Sequence, residues 1–73
     1  MSRKIRQLKA DLRKAGAYQA SQRGSHTKWK HAQIPSEVLI LAGHDSDDAD
    51  FYQERDVQRF LHLIAETERR GKQ

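Results

Sequence analysis

Four histidines, His26, His31, His44 and His62, are the residues of this chain best suited to moving protons. Imidazole titrates near neutrality and serves as general acid, general base or metal ligand. His26 has the most telling neighbours. It follows Gly24-Ser25, a turn signal at which a backbone can approach a ligand closely. If residues 26–31 are extended, Lys28 and Lys30 share its face, and Arg23 lies just across the turn. An imidazole among cations suits one chemistry in particular. RNA carries its own nucleophile, the 2′-hydroxyl. A histidine that removes that proton, beside cations that stabilise charge building on the phosphate, is enough for slow strand cleavage. The competing reading of His26 is an exposed polar strand residue.

The other histidines carry less. His26 and His31 are five apart on one strand, face opposite sides, and so cannot readily share a metal. His44 with Asp45, Asp47 or Asp48 offers ligand types, but the acidic loop lacks the glycine and terminal glutamate of an EF-hand loop. Without cysteine, disulfides and cysteine-ligated sites are excluded. The expectation is therefore no metal and no cofactor, with residues 45–50 a solvated, helix-capping connection. The aromatics are Tyr18, Trp29, Phe51, Tyr52 and Phe60. Trp29 could stack on a base. It falls on the face opposite the lysines, so a core role is expected.

These residues need a scaffold, and the hydrophobic periodicity supplies one. Ile5, Leu8, Leu12 and Ala15 predict a helix over 3–15, with Ser2 as N-cap and Gly16 just past its end. Its polar face is cationic. The apolar stripe is narrow and free of aromatics, which favours packing in a core over lying on a membrane. Residues 17–23 have weak strand character, with Tyr18, Ala20 and Gln22 on one face. Residues 26–31 alternate as a strand should, with Thr27, Trp29 and His31 opposite His26, Lys28 and Lys30. Gln33, Pro35 and Ser36 mark a second turn, and Val38–Leu41 reads as the central strand, ended by Gly43. A second helix is predicted over 52–69, burying Val57, Phe60, Leu61 and Ile64. Asp50 and Gln53 have capping-box spacing, and Arg69, Arg70 and Lys72 suit the C-terminus of the helix dipole. The order α-β-β-β-α predicts the α+β class: a small two-layer domain, a three-stranded antiparallel sheet with both helices on one face, like the double-stranded-RNA-binding architecture.

Seventy-three residues allow one domain, 1–73, with one modest core. Its ligand is then expected on the surface, as a polymer would lie. The net charge is +4, but residues 1–31 hold nine Lys/Arg and one acid, Asp11, a net of +8, and residues 32–73 hold five and nine, a net of −4. The basic half is a footprint for phosphates. The absence of cysteine favours a reducing, intracellular setting. The first twenty residues hold six cations and no long apolar run, so neither a secretory h-region nor a transmembrane helix is expected there.

Arg23-Gly24-Ser25-His26, followed by Lys28-Trp29-Lys30-His31, resembles the HicA family of toxin mRNA interferases. Members lead from a short amphipathic helix and a first strand into Gly-Ser-His, then an aromatic and a basic-His pair, a further strand and a C-terminal helix. Val38–Gly43 stands in the place of that later strand, with His44 matching the family's later histidine. The resemblance spans roughly residues 3–67. It implies a double-stranded-RNA-binding-like fold, metal-independent cleavage of mRNA with His26 as catalytic residue, and turn roles for Gly24 and Ser25. Arg23, Lys28 and Lys30 would hold and polarise the phosphate. It also implies a cytoplasmic protein and a HicB-like antitoxin covering the active site. Two positions depart from the pattern. Ala42 stands where relatives carry proline before the later histidine, and residues 45–50 are acidic where relatives are often basic and glycine-containing. Carboxylates close to the site would repel RNA. The rival expectations are a non-catalytic RNA-binding module of the same fold and an interaction protein that docks a partner.

Overall fold

The computed structural model describes residues 3–71 in the order α1 (Ile5–Lys14), β1 (Tyr18–Arg23), β2 (His26–Lys30), β3 (Leu39–Ala42) and α2 (Phe51–Gly71). Ser2 and Lys72, assigned capping and dipole roles above, lie outside the described residues. Lys4 occupies the N-cap position of α1, and its backbone N–H donates to Gln7 Oε1 at 2.7 Å. The next two orphan N–H groups are met from a distance in sequence. Ile5 donates to the Asp47 carbonyl and Arg6 to that of Asp45. At the other end Gly16 has φ +93°, so that Ala17 N–H reaches the Leu12 carbonyl and Gly16 N–H that of Arg13. This left-handed closure is the reason a glycine stands there.

The sheet has the order β1-β2-β3 with both pairs antiparallel. Gly24 has φ +60° and Ser25 a negative φ, the pattern of a two-residue type II′ turn, which makes Arg23 and His26 direct cross-strand partners. An irregularity between Gln19 and Ser21 then shifts the phase of β1. The expected common face of Tyr18, Ala20 and Gln22 is therefore broken. Tyr18, Ser21 and Arg23 stand opposite Lys30, Lys28 and His26, whereas Gln19 and Gln22 stand opposite Trp29 and Thr27.

The central strand is β2. The apolar run Val38–Leu41, expected at the centre, instead forms the edge strand β3 and begins at Leu39. Leu39 and Leu41 are buried, but Val38 and Ile40 are half exposed. The physical reason is the layering. Helices cover only one face of the sheet, so alternate residues of even an apolar strand look outward.

The covered face holds the core. Thr27 and Trp29 of β2, with Leu39 and Leu41 of β3, pack against Ile5, Leu8 and Leu12 of α1 and Val57, Phe60 and Ile64 of α2. Trp29 is wholly buried, as expected of a core residue, and its Nε1–H donates to Thr27 Oγ1 at 2.9 Å. Leu61, expected inside, is only half buried at the margin of this cluster. Ala17, Ile34 and Ala49, from connecting segments, complete the core.

Candidate active site

The turn at Gly24-Ser25 sets Arg23 beside His26, and the period-two alternation of β2 puts Lys28 next on the same open face. On the β3 side Ala42 faces His26 and Ile40 faces Lys28. The small Ala42 side chain leaves the imidazole uncovered. Ser21, Arg23, His26, Lys28 and Ile40 together line a shallow depression of about 390 Å³. Among the described residues no carboxylate pairs with Arg23, His26 or Lys28. The floor is thus an imidazole between two cations. Lys30 shares the face but stands one step further along, half buried beside Tyr18 and outside the depression. Ser25 serves the turn differently. Its carbonyl accepts from Gly43 N–H at 3.1 Å, tying the turn to the end of β3.

The other histidines are elsewhere. His31 is buried on the helix side, where Gln33 N–H donates to its Nδ1 at 3.1 Å. Nδ1 therefore accepts, and the Nε2–H donates to the Ala15 carbonyl at 3.1 Å. His31 is a strut fixing the end of α1 to the sheet. His62 lies on the exposed face of α2, 3.5 Å from Glu66. His44 lines a separate depression with Arg13, Gln22 and Ser25, on the helix side of the hairpin. Among the described residues no three histidine or carboxylate groups come together to hold a metal ion.

The family model for the HicA toxin of bacterial toxin-antitoxin systems matches residues 5–63. The chain belongs to the HicA toxin family. The matched span takes in α1, the whole sheet and the first part of α2, so the Arg23–Lys28 depression falls within it. No curated protein matches the chain, and no solved structure does. The α+β order and antiparallel sheet fit the double-stranded-RNA-binding likeness expected of a HicA toxin. No described helix is long and apolar enough to cross a membrane.

The acidic segment that departs from the HicA pattern has its own structural use. Asp45 Oδ1 holds Lys9 Nζ at 2.6 Å, and Asp48 holds Lys4 at 2.7 Å. Asp47 Oδ2 accepts from His44 N–H, and Asp50 Oδ1 accepts from Gln53 N–H, closing the predicted capping box with Gln53 Oε1 accepting from Asp50 N–H. The Lys9 hydrogen bond and charge hold the Asp45 carboxyl below the usual carboxylate range. All four carboxylates are thus engaged, and none lines the His26 depression. Ser21 and Ile40 do line it, and neither was singled out from the sequence. Their place depends on the β1 irregularity and on which face of β3 is covered, which periodicity alone does not carry.

Proposed function

We propose that this HicA-family chain is the toxin of a type II toxin–antitoxin pair, an endoribonuclease that cuts mRNA through His26. The observation that carries the reading is the register of the hairpin, which stations Arg23 opposite His26 with Lys28 on the same uncovered face. His26 takes the proton of an RNA 2′-hydroxyl. The 2′-oxygen attacks the adjacent phosphorus, and the bond from phosphorus to the 5′-oxygen breaks. The imidazolium returns a proton to that leaving oxygen, and a cyclic phosphate remains. Arg23 and Lys28 stabilise the charge gathering on the non-bridging oxygens, and Lys30 holds a neighbouring phosphate. Nucleophile and leaving group both belong to the RNA, and the proton taken by His26 is the one returned. A HicB-like antitoxin would silence the toxin by covering this open face, and the setting is the cytoplasm.

The test separates rate from affinity. His26→Ala is expected to lower cleavage by about 10²–10⁴-fold while the fold and most RNA affinity persist, because binding is spread over many cations and proton transfer is not. Cleavage by the wild type should survive a strong chelator and fail on a substrate that is 2′-deoxy at the scissile position. Equal cutting by folded His26→Ala removes the catalytic role. One observation favours a second reading, an RNA-binding module that does not cut: among the described residues no side-chain hydrogen bond or ion pair orients the His26 ring, as general bases are often oriented. A folded wild type that binds RNA and leaves it intact would establish that reading.

A further inference from the structure

On the helix side of the hairpin the structure holds a second polar depression of about 600 Å³, and it adjoins the His26 depression through Gln22, which lines both. Arg13 stands at its rim. The guanidinium lies over the buried Trp29 ring, 5.2 Å from its centroid, a cation–π contact that holds the charge at this place. Among the described residues nothing accepts a hydrogen bond or ion pair from that guanidinium. A held, planar fork of free N–H donors is the arrangement that grips a phosphate with two parallel bonds. His44 is exposed across the same depression. Gln19 and Gln22, opposite Trp29 and Thr27 in register, add amides that can meet ribose or base edges. Lys9 and Asp45 also line it, but they hold each other at 2.6 Å and contribute no net charge.

We propose that this depression is a second RNA subsite, in which Arg13 and His44 hold a phosphodiester neighbouring the one cut at His26. The inference rests on the reading of the chain as an RNA-acting protein. The RNA strand leaves the open face at His26, rounds the exposed edge strand β1 past Gln22, and meets Arg13 on the other side. The hairpin end thus acts as a post around which a single strand bends. Such a bend fits a cleavage step that needs the 2′-oxygen, phosphorus and leaving oxygen in line, a geometry that regular helical RNA does not offer. The ligand class is flexible single-stranded RNA longer than a dinucleotide.

The experiment uses the His26→Ala protein, so that RNA stays intact, and compares a dinucleotide with a single strand of about eight nucleotides by fluorescence anisotropy. The longer RNA is expected to bind more tightly, and Arg13→Ala and His44→Ala should each remove most of that advantage. Arg13→Ala should also reduce the salt slope for the longer RNA by about 0.7. Lys14→Ala, a neighbouring cation outside the depression, should leave the length advantage in place. Arg13→Lys keeps the charge but not the fork and should fall between. If Arg13→Ala fails to fold, Arg13→Lys and the exposed His44→Ala decide the matter. An undiminished length advantage in those folded variants overturns the subsite and leaves the role of His26 untouched. A wild type that binds neither RNA overturns the RNA reading, and the subsite with it.

Discussion

At the scale of single residues, the proposed reaction divides labour between one proton carrier, His26, and the cations around it. The two-residue turn sets Arg23 opposite His26 in register. Arg23→Ala is expected to lower the cleavage rate by about tenfold or more, as loss of a charge-stabilising donor does, with a smaller change in affinity. Arg23→Lys should recover part of the rate. Single-turnover kinetics beside equilibrium binding distinguishes the two. An Arg23→Ala protein that loses affinity and rate in equal measure would make Arg23 a general phosphate contact. His31 is the contrasting residue. It has the same side chain five positions on, but it is buried and bonded at both ring nitrogens. The difference between the two histidines lies in which face of β2 each occupies.

At the scale of elements, two glycines do different work. At Gly16, φ is +93° and an added Cβ would come within 3.1 Å of His31 Nε2. At Gly24, φ is +60° and an added Cβ would meet nothing within 4 Å. Gly24→Ala should therefore cost about 1–2 kcal/mol, the left-handed backbone penalty alone. Gly16→Ala should cost more, because it also displaces the histidine strut. Urea unfolding of both variants checks the order, and equal losses would contradict the strut. The core gives a second contrast. Leu12 is wholly buried, so Leu12→Ala should cost roughly 2–5 kcal/mol, enough to threaten folding in so small a domain. Leu61 sits at the margin of the cluster, and Leu61→Ala should cost clearly less. A Leu61→Ala loss as large as that of Leu12→Ala would place it in the core after all.

At the scale of the whole molecule, charge is arranged in two layers. Acids from the second half of the chain engage the N-terminal part of α1, through Lys4–Asp48 and Lys9–Asp45, while among the described residues no carboxylate pairs with Arg23, Lys28 or Lys30 on the open face. The clasp has a pH signature. The folded state depresses the Asp45 carboxyl, chiefly through its hydrogen bond to Lys9, so the stabilisation is present above the unfolded-state pKa. It is lost as pH falls below about 4. Wild type should therefore unfold at a higher temperature than Asp45→Asn near neutrality, and the gap should close in acid. Lys9 is buried but Asp45 is exposed, so high salt should narrow the gap in part. A gap that persists in acid would show that the loop is held by its backbone bonds to Ile5 and Arg6 instead.

The element order, the helix stripes apart from Leu61, the Gly16 stop, the Asp50–Gln53 cap and the alternation of β2 are legible in the sequence, because each is a local matter of spacing and backbone preference. Gly24-Ser25 between two extended segments likewise fixed Arg23 against His26, since a two-residue turn admits one register. Burial of Trp29 was legible from its face on β2. The tertiary structure decided what local pattern does not contain. The apolar run at Val38–Leu41 reads as the central strand, but the order β1-β2-β3 puts it at an edge, and with both helices on one side Val38 and Ile40 look outward. The irregularity near Ala20 moved Tyr18 beside Lys30. The acids at 45–50 read as a threat to RNA binding near His26, yet chain reversal carried them to α1, where Lys4 and Lys9 meet them. Arg13, one cation among nine in the first half, was set apart only when α1 laid it over the Trp29 ring. Contacts between residues distant in the chain decide such matters, and spacing along a strand or helix carries no record of them.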